Sequence, residues 1–291
     1  MPIDSNTDAC LKALGHRKPL SHKGDYGHVL MIGGCRGMTG AIGIGSLSAI
    51  RSGSGLVTAF VPRICMDAIA GVDPCIMTVA GAENSKGEFS IAAVNAFKTK
   101  RGEPWQAIAI GPGLGHKAGA QLLVRHFAEK SKIARVFDAD SLNILALGDI
   151  RIYGPAVLTP HPGEFERLTG ISRKNRTAQI SAAKGFASRI GCVVVLKGNR
   201  SVVTDGNKTF FNFSGNSGMA TGGSGDSLSG VIASLLGQGF SALDAARLGT
   251  YLHGTAGDLA VKSVGSSGMT ATDIVAYLPE AFRLYHNRLN H

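Results

Sequence analysis

Residues Asn216–Gly239 read NSGMATGGSGDSLSGVIASLLGQG. Glycines, small hydroxyl residues and one acid crowd the first half, and the second half is an apolar helical run. Gly222, Gly223 and Gly225 allow the backbone to turn sharply and to approach a ligand without a Cβ in the way. The amides that open the following helix lack intrahelical partners, so Gly223, Ser224 and Gly225 suit an anion. Asp226 stands at that mouth. A carboxylate there serves either as a helix cap or as a general base, and the spacing alone leaves both roles open.

Upstream of this segment, short apolar runs alternate with helical patterns. Strands are predicted at His28–Ile32, Leu56–Val61, Ala107–Ile110, Arg135–Asp138, Ala156–Leu158 and Cys192–Leu196. Helices are predicted at Gly40–Ser52, Lys117–Ser131, Thr177–Ile190, Ser227–Leu236, Leu243–Lys262 and Thr272–Asn287. Near-continuous apolar strands alternating with helices predict an α/β fold, a mostly parallel sheet flanked by helices on both faces. Asp205-Gly206-Asn207 between two short runs predicts an antiparallel hairpin at one edge. No linker or repeat divides the 291 residues, so residues 21–291 are expected as one domain behind a polar lead-in over residues 1–20.

Composition narrows the class. A 44% apolar and 17% charged chain with 40 glycines fits a globular protein whose loops bind phosphates through the backbone. The net charge of +10 raises nucleic acid as a partner, but the basic residues are scattered and aromatics make up only 6%. No nucleic-acid binding is expected. The five cysteines lack metal-ligand spacing, no apolar leader opens the chain, and no run is long enough for a membrane span. A cytoplasmic protein is expected.

Five polar or glycine-rich stretches follow apparent strands, where open α/β sheets collect ligands. IGGCRGMTGA (Ile32–Ala41) lacks both the G-x-G-x-x-G fingerprint and a Walker lysine. GPGLG (Gly111–Gly115) is a turn that exposes amides. DADSLN (Asp138–Asn143) offers Asp138 and Asp140 for a substrate or ion, with Asp140 equally able to cap a short helix. In TPHPGEFERL (Thr159–Leu168) two prolines flank His161, and Glu164 is either a first-turn dipole partner or a metal or phosphate contact through water. In KGNRSVV (Lys197–Val203) the lysine is either solvated or a nucleotide contact.

Together, SHKGDYGHVLMIGGCRGMTGA, AIGPGLG, DADSLN, LTPHPGEFERL, VVVLKGN and GNSGMATGGSGDSLSGVIASLLGQG resemble the ADP/ATP-dependent NAD(P)H-hydrate dehydratases of the ribokinase-like superfamily. The resemblance runs in order from about Ser21 to Tyr285. It implies a single ribokinase-like domain, a homotetramer, and an epimerase activity supplied by a separate protein. It places the hydrate on Ala41, Gly113, Gly115, His161 and Asp226. It places the nucleotide on Lys197, Gly198, Asn199, Arg200, Ser201, Gly223, Ser224 and Gly225. Mg²⁺ is implied with ADP or ATP, and Glu164 and Asp140 are the candidates to hold it indirectly. Cys35, Met38 and Ser141 depart from residues frequent in the family.

The reaction so implied restores NADH or NADPH from the hydrate by phosphorylating the C6 hydroxyl and then losing phosphate, with Asp226 as the base. Asp226 is expected to be kept ionised by the helix N-terminus. A small-molecule kinase and a non-catalytic nucleotide sensor would share the glycine loop. The sensor would have no need of Asp226.

Overall fold

The computed structural model describes Leu14 and residues 17–97, 105–148 and 150–288. Most of the lead-in expected over residues 1–20 lies outside the described residues.

Nine strands form one sheet in the order β3-β2-β1-β4-β5-β6-β7-β8-β9. They are β1 His28–Ile32, β2 Leu56–Pro62, β3 Ile76–Gly81, β4 Ala107–Ile110, β5 Ala134–Phe137, β6 Ala156–Leu158, β7 Val193–Leu196, β8 Val202–Thr204 and β9 Thr209–Phe211. β1 to β7 pair in parallel, while β8 and β9 close the far edge antiparallel through the expected hairpin. Every parallel strand therefore ends on the same edge.

Nine α-helices lie among the described residues: α1 Thr39–Arg51, α2 Met66–Ala70, α3 Ala118–Glu129, α4 Asp140–Leu145, α5 Pro162–Thr169, α6 Arg176–Ile190, α7 Ser224–Gly237, α8 Ala242–Gly268 and α9 Ala271–Arg288. The strands bury both faces, so alternate residues feed two cores. Val29 and Met31 pack with α1, α2, α7, α8 and α9, and Leu30 and Ile32 pack with α3 to α6. This explains the unbroken apolar runs of the sequence. β3 and α2 were not expected. β3 is an edge strand exposing Met77 and Val79, so it lacks the continuous apolar run of its neighbours.

The chain winds outward from β1 through β2 to β3, then returns to lay β4 beside β1 and winds the other way. The sheet thus reverses between β1 and β4, where open α/β sheets have their ligand crevice. α7 is seated next to this point by close backbone packing. A Cβ on Gly230 would lie 2.0 Å from the Gly45 carbonyl oxygen of α1, and Ser48 and Ser227 hydroxyls meet at 2.9 Å. No helix of the described residues is long and apolar enough to cross a membrane.

Candidate active site

The five strand-end stretches converge on one edge. After β1 and β4, the Gly34 amide donates to the Pro112 carbonyl at 2.8 Å. Gly113 takes φ +60°, and a Cβ there would stand 2.5 Å from the Met38 carbonyl oxygen and 3.3 Å from the Ala41 Cβ. The two loops expected to hold the hydrate are therefore one surface. Gly115 lies farther along, its amide donating to Asp140 Oδ2 at 2.8 Å, while Asp140 Oδ1 faces His116 Nε2 at 3.0 Å. Asp140 thus opens α4 and ties down the GPGLG turn.

His161 is the N-cap of α5. Its Nδ1 accepts from the Gly163 amide at 2.9 Å and the Glu164 amide at 3.4 Å, and Glu164 Oε2 accepts from the His161 amide at 2.7 Å. This reciprocal capping box gives Glu164 its structural role. The imidazole is half-exposed, and burial, with Lys197 and Arg167 nearby, lowers its pKa so that it is neutral. Glu164 is 5% exposed, and burial pushes its pKa up to about 7 against the opposing pull of Lys197.

Lys197 is not a solvated lysine. Its Nζ donates to Asp138 Oδ1 at 2.7 Å and lies 3.9 Å from Glu164 Oε2. Asp138, buried to 1% exposure, also accepts from the Thr159 hydroxyl at 2.8 Å and the Ser229 hydroxyl at 2.7 Å. The rest of the KGNRS turn is more open. Gly198, Asn199 and Arg200 are exposed, the Ser201 hydroxyl donates to the Gly198 carbonyl at 3.1 Å, and Arg200 lies over the Phe213 ring. From α6, the Arg176 guanidinium donates to the Lys197 carbonyl at 3.0 Å and fixes the start of that turn.

Gly223, at φ +89°, is the N-cap of α7, and no side chain caps the helix. The Gly225 and Asp226 amides at its mouth have no intrahelical acceptor. Asp226 is thus not the cap, and that alternative drops away. Its expected full ionisation is corrected too. Burial first, and then the charge of Asp138, pushes its pKa up to about 7, with Lys197 opposing. Desolvation outweighs the helix dipole because the side chain is half-buried among other carboxylates.

Four residues were missed or left without a role. Asp138 was raised only as a possible ligand, yet it is the anchor of the charged cluster. Ser229, one turn beyond Asp226, reads in sequence as a small residue of a buried helix. His253 of α8 is 6% exposed, and burial lowers its pKa to about 4. It bonds the Ser224 backbone and so steadies the turn from below. Asp258, also on α8, accepts from the Gly215 amide at 2.9 Å and from Asn216 Nδ2 at 3.1 Å, tethering the loop that leads into the glycine turn.

The NAD(P)H-hydrate dehydratase family (Carb_kinase) matches residues 29–280, the span that carries all of these turns. The chain belongs to this family. Among solved structures, it superposes on the ADP/ATP-dependent NAD(P)H-hydrate dehydratase of Bacillus subtilis, co-crystallised with ATP/Mg²⁺, with a TM-score of 0.84 and 30% identity. That match covers 96% of this chain and 97% of the other. Among curated proteins, the bifunctional NAD(P)H-hydrate repair enzyme Nnr of Moorella thermoacetica is 41% identical over 94% of this chain and 52% of its own length. The Escherichia coli Nnr is 35% identical over 90% of this chain and 48% of its own length. The chain spans about half the length of the curated relatives it matches. A ribokinase from Arabidopsis thaliana, at 11% identity and a TM-score of 0.55, shares the fold alone over 88% of this chain and 99% of its own. The dehydratase family thus takes a ribokinase-like frame, as the sequence led us to expect.

Proposed function

We propose that this chain dehydrates the S-form of NAD(P)H hydrate with ADP or ATP, restoring NAD(P)H and releasing AMP or ADP with phosphate. The observation that carries this reading is Asp226, an uncapped, half-buried carboxylate beside free amides at the mouth of α7. It opens the helix that packs on α1, the helix that carries Ala41 beside Gly113. In the first step the C6 hydroxyl oxygen of the hydrate attacks the terminal phosphorus, Asp226 takes the hydroxyl proton, and the shortened nucleotide leaves. In the second step the ring nitrogen pushes out phosphate as the C6–O bond breaks, and loss of the C5 proton restores the C5–C6 double bond. Hydroxide is a poor leaving group and phosphate a good one, which is why a phosphoryl donor is needed.

The Gly223, Ser224 and Gly225 turn supports the reading by offering backbone amides to the transferring phosphoryl group. Positioning and charge stabilisation are the main demands of such a step. We assign the hydrate to Ala41, Gly113, Gly115 and His161, and the nucleotide to the Lys197–Ser201 turn. Mg²⁺ bound with the nucleotide would offset phosphate charge, and Asp140 and Glu164 would hold it through water. The described residues hold no cluster of three or more His, Cys, Asp or Glu side chains fit to bind a metal. Asp140 and Glu164 are committed to protein amides, with lone pairs left for a metal-bound water, so the fit is an indirect one. We also propose a cytoplasmic homotetramer linked to an epimerase activity, the latter supported by the bifunctional names of the curated relatives. The test is to supply NADH hydrate or NADPH hydrate with Mg²⁺ and each nucleotide. Recovery of reduced-nicotinamide absorbance is expected, and accumulation of a stable phosphoester instead would indicate a small-molecule kinase.

A further inference from the structure

Beneath the glycine turn, two opposite charges are locked together. Lys197 Nζ is 2.7 Å from Asp138 Oδ1, and a Cβ on Gly225 would stand 3.1 Å from that ammonium. Thr159 and Ser229 fix the Asp138 carboxylate from two further sides, so the ammonium is held under the residue next to Asp226. Burial works against the lysine's charge, but Asp138 and Glu164 outweigh it and raise its pKa, so it is a permanent cation.

We propose that Asp138 and Lys197 act together as positioning residues for Asp226, the ammonium favouring its proton-accepting carboxylate form and Asp138 restraining that pull. This rests on Asp226 being the base of the proposed reaction. The charges that act on Asp226 are those of Asp138 at the end of β5, Lys197 at the end of β7, Asp140 of α4 and Glu164 of α5. Burial first, and then the charge of Lys197, lowers the pKa of His161, the N-cap of α5, and of His253 of α8. Lys197 is thus the cation that acts on Asp226 among these groups of the described residues, and Asp138 is the acid paired with it at hydrogen-bond distance. Removing each member must move Asp226 in opposite directions, which loss of a merely structural pair would not do.

The experiment titrates the Asp226 carboxyl carbon by NMR in protein labelled with ¹³C-aspartate, the signal being assigned by its loss in Asp226→Asn. The kcat/KM profile against pH is measured beside it. Lys197→Met is expected to move the Asp226 titration up by about one pH unit or more, and Asp138→Asn to move it down, while Lys197→Arg holds it near wild type. The acidic limb of the rate profile follows the same signs. Movement of Lys197→Met and Asp138→Asn in one direction, or of neither, overturns the proposal. So does a Lys197→Met variant whose titration is unmoved and whose nucleotide Kd rises about tenfold, because Lys197 would then be a nucleotide contact only. Should Lys197→Met fail to fold, Asp138→Asn decides alone, since it leaves no buried acid unpaired. The carbon titration is read without substrate, so failure of the hydrate assay and failure of this proposal are separate results.

Discussion

Gly113 and Ala41 form one surface: the Cβ that Gly113 lacks would stand 3.3 Å from the Ala41 Cβ, across the reversal point of the sheet. Two loops far apart in sequence are joined there because β1 and β4 pair in parallel. Gly113→Ala is expected to strain the φ +60° backbone and to press on the Met38 carbonyl, at a cost of about 1–3 kcal/mol locally. The hydrate KM should rise about tenfold with the nucleotide KM little changed, as read by steady-state kinetics. Equal rises in both would mean that the loop does not belong to the hydrate.

His161 caps α5 through Nδ1, its Nε2 lies 3.5 Å from Glu164 Oε1, and the proposed function adds a contact with the hydrate. His161→Ala removes the cap, which costs about 1 kcal/mol, and takes away the proposed hydrate contact. Thermal unfolding should show a small loss. Kinetics should show the hydrate KM rising more than the nucleotide KM, and the reverse pattern would place His161 on the nucleotide side.

Gly225 lies against the locked ammonium of Lys197, with Asp138 Oδ2 at 3.8 Å from where its Cβ would be. Gly225→Val adds a branched side chain where a phosphate is expected to approach. Calorimetry should show weakened nucleotide binding while the unfolding transition remains cooperative. An unchanged Kd would mean that the turn is not the phosphate site.

Much of this architecture is legible in the sequence, and the failures have physical causes. VLMI of β1 and AIAI of β4 are apolar at every position because both sheet faces are covered, so these strands could be read directly. IMTVAG at β3 is covered less completely and escaped notice. Asp226, His161 and Lys197 were singled out from local motifs. The Lys197–Asp138 bond was not, because it depends on β5, β6 and β7 lying side by side in register. The state of Asp226 was misjudged for the same reason: a helix N-terminus is visible locally, but burial among distant acids is not.

The pH dependence follows from that correction. A base with a pKa of about 7 must lose its proton to work, so kcat/KM should fall as pH drops through about 7. Stability runs the other way. Asp226 and Glu164 hold protons more tightly folded than unfolded, so the stability this confers is complete below the ordinary carboxylate range and is lost as pH rises through about 7. Asp226→Asn should therefore raise the thermal midpoint above neutral pH, by about 2–4 °C for each kcal/mol relieved, and leave it nearly unchanged in mild acid. A lower midpoint at alkaline pH would contradict the burial account.

Asp226→Asn also tests the central claim most directly. The substitution keeps the size of the side chain, removes the proton acceptor and leaves the Gly223 cap of α7 in place. With NAD(P)H hydrate, Mg²⁺ and the preferred nucleotide at saturating concentration, kcat is predicted to fall on the order of 10²–10⁴-fold, or about 3–5 kcal/mol in barrier. The midpoint above neutral pH should be no lower than that of the wild type. A folded Asp226→Asn protein that turns over the hydrate at close to the wild-type rate would contradict the assignment of Asp226 as the base.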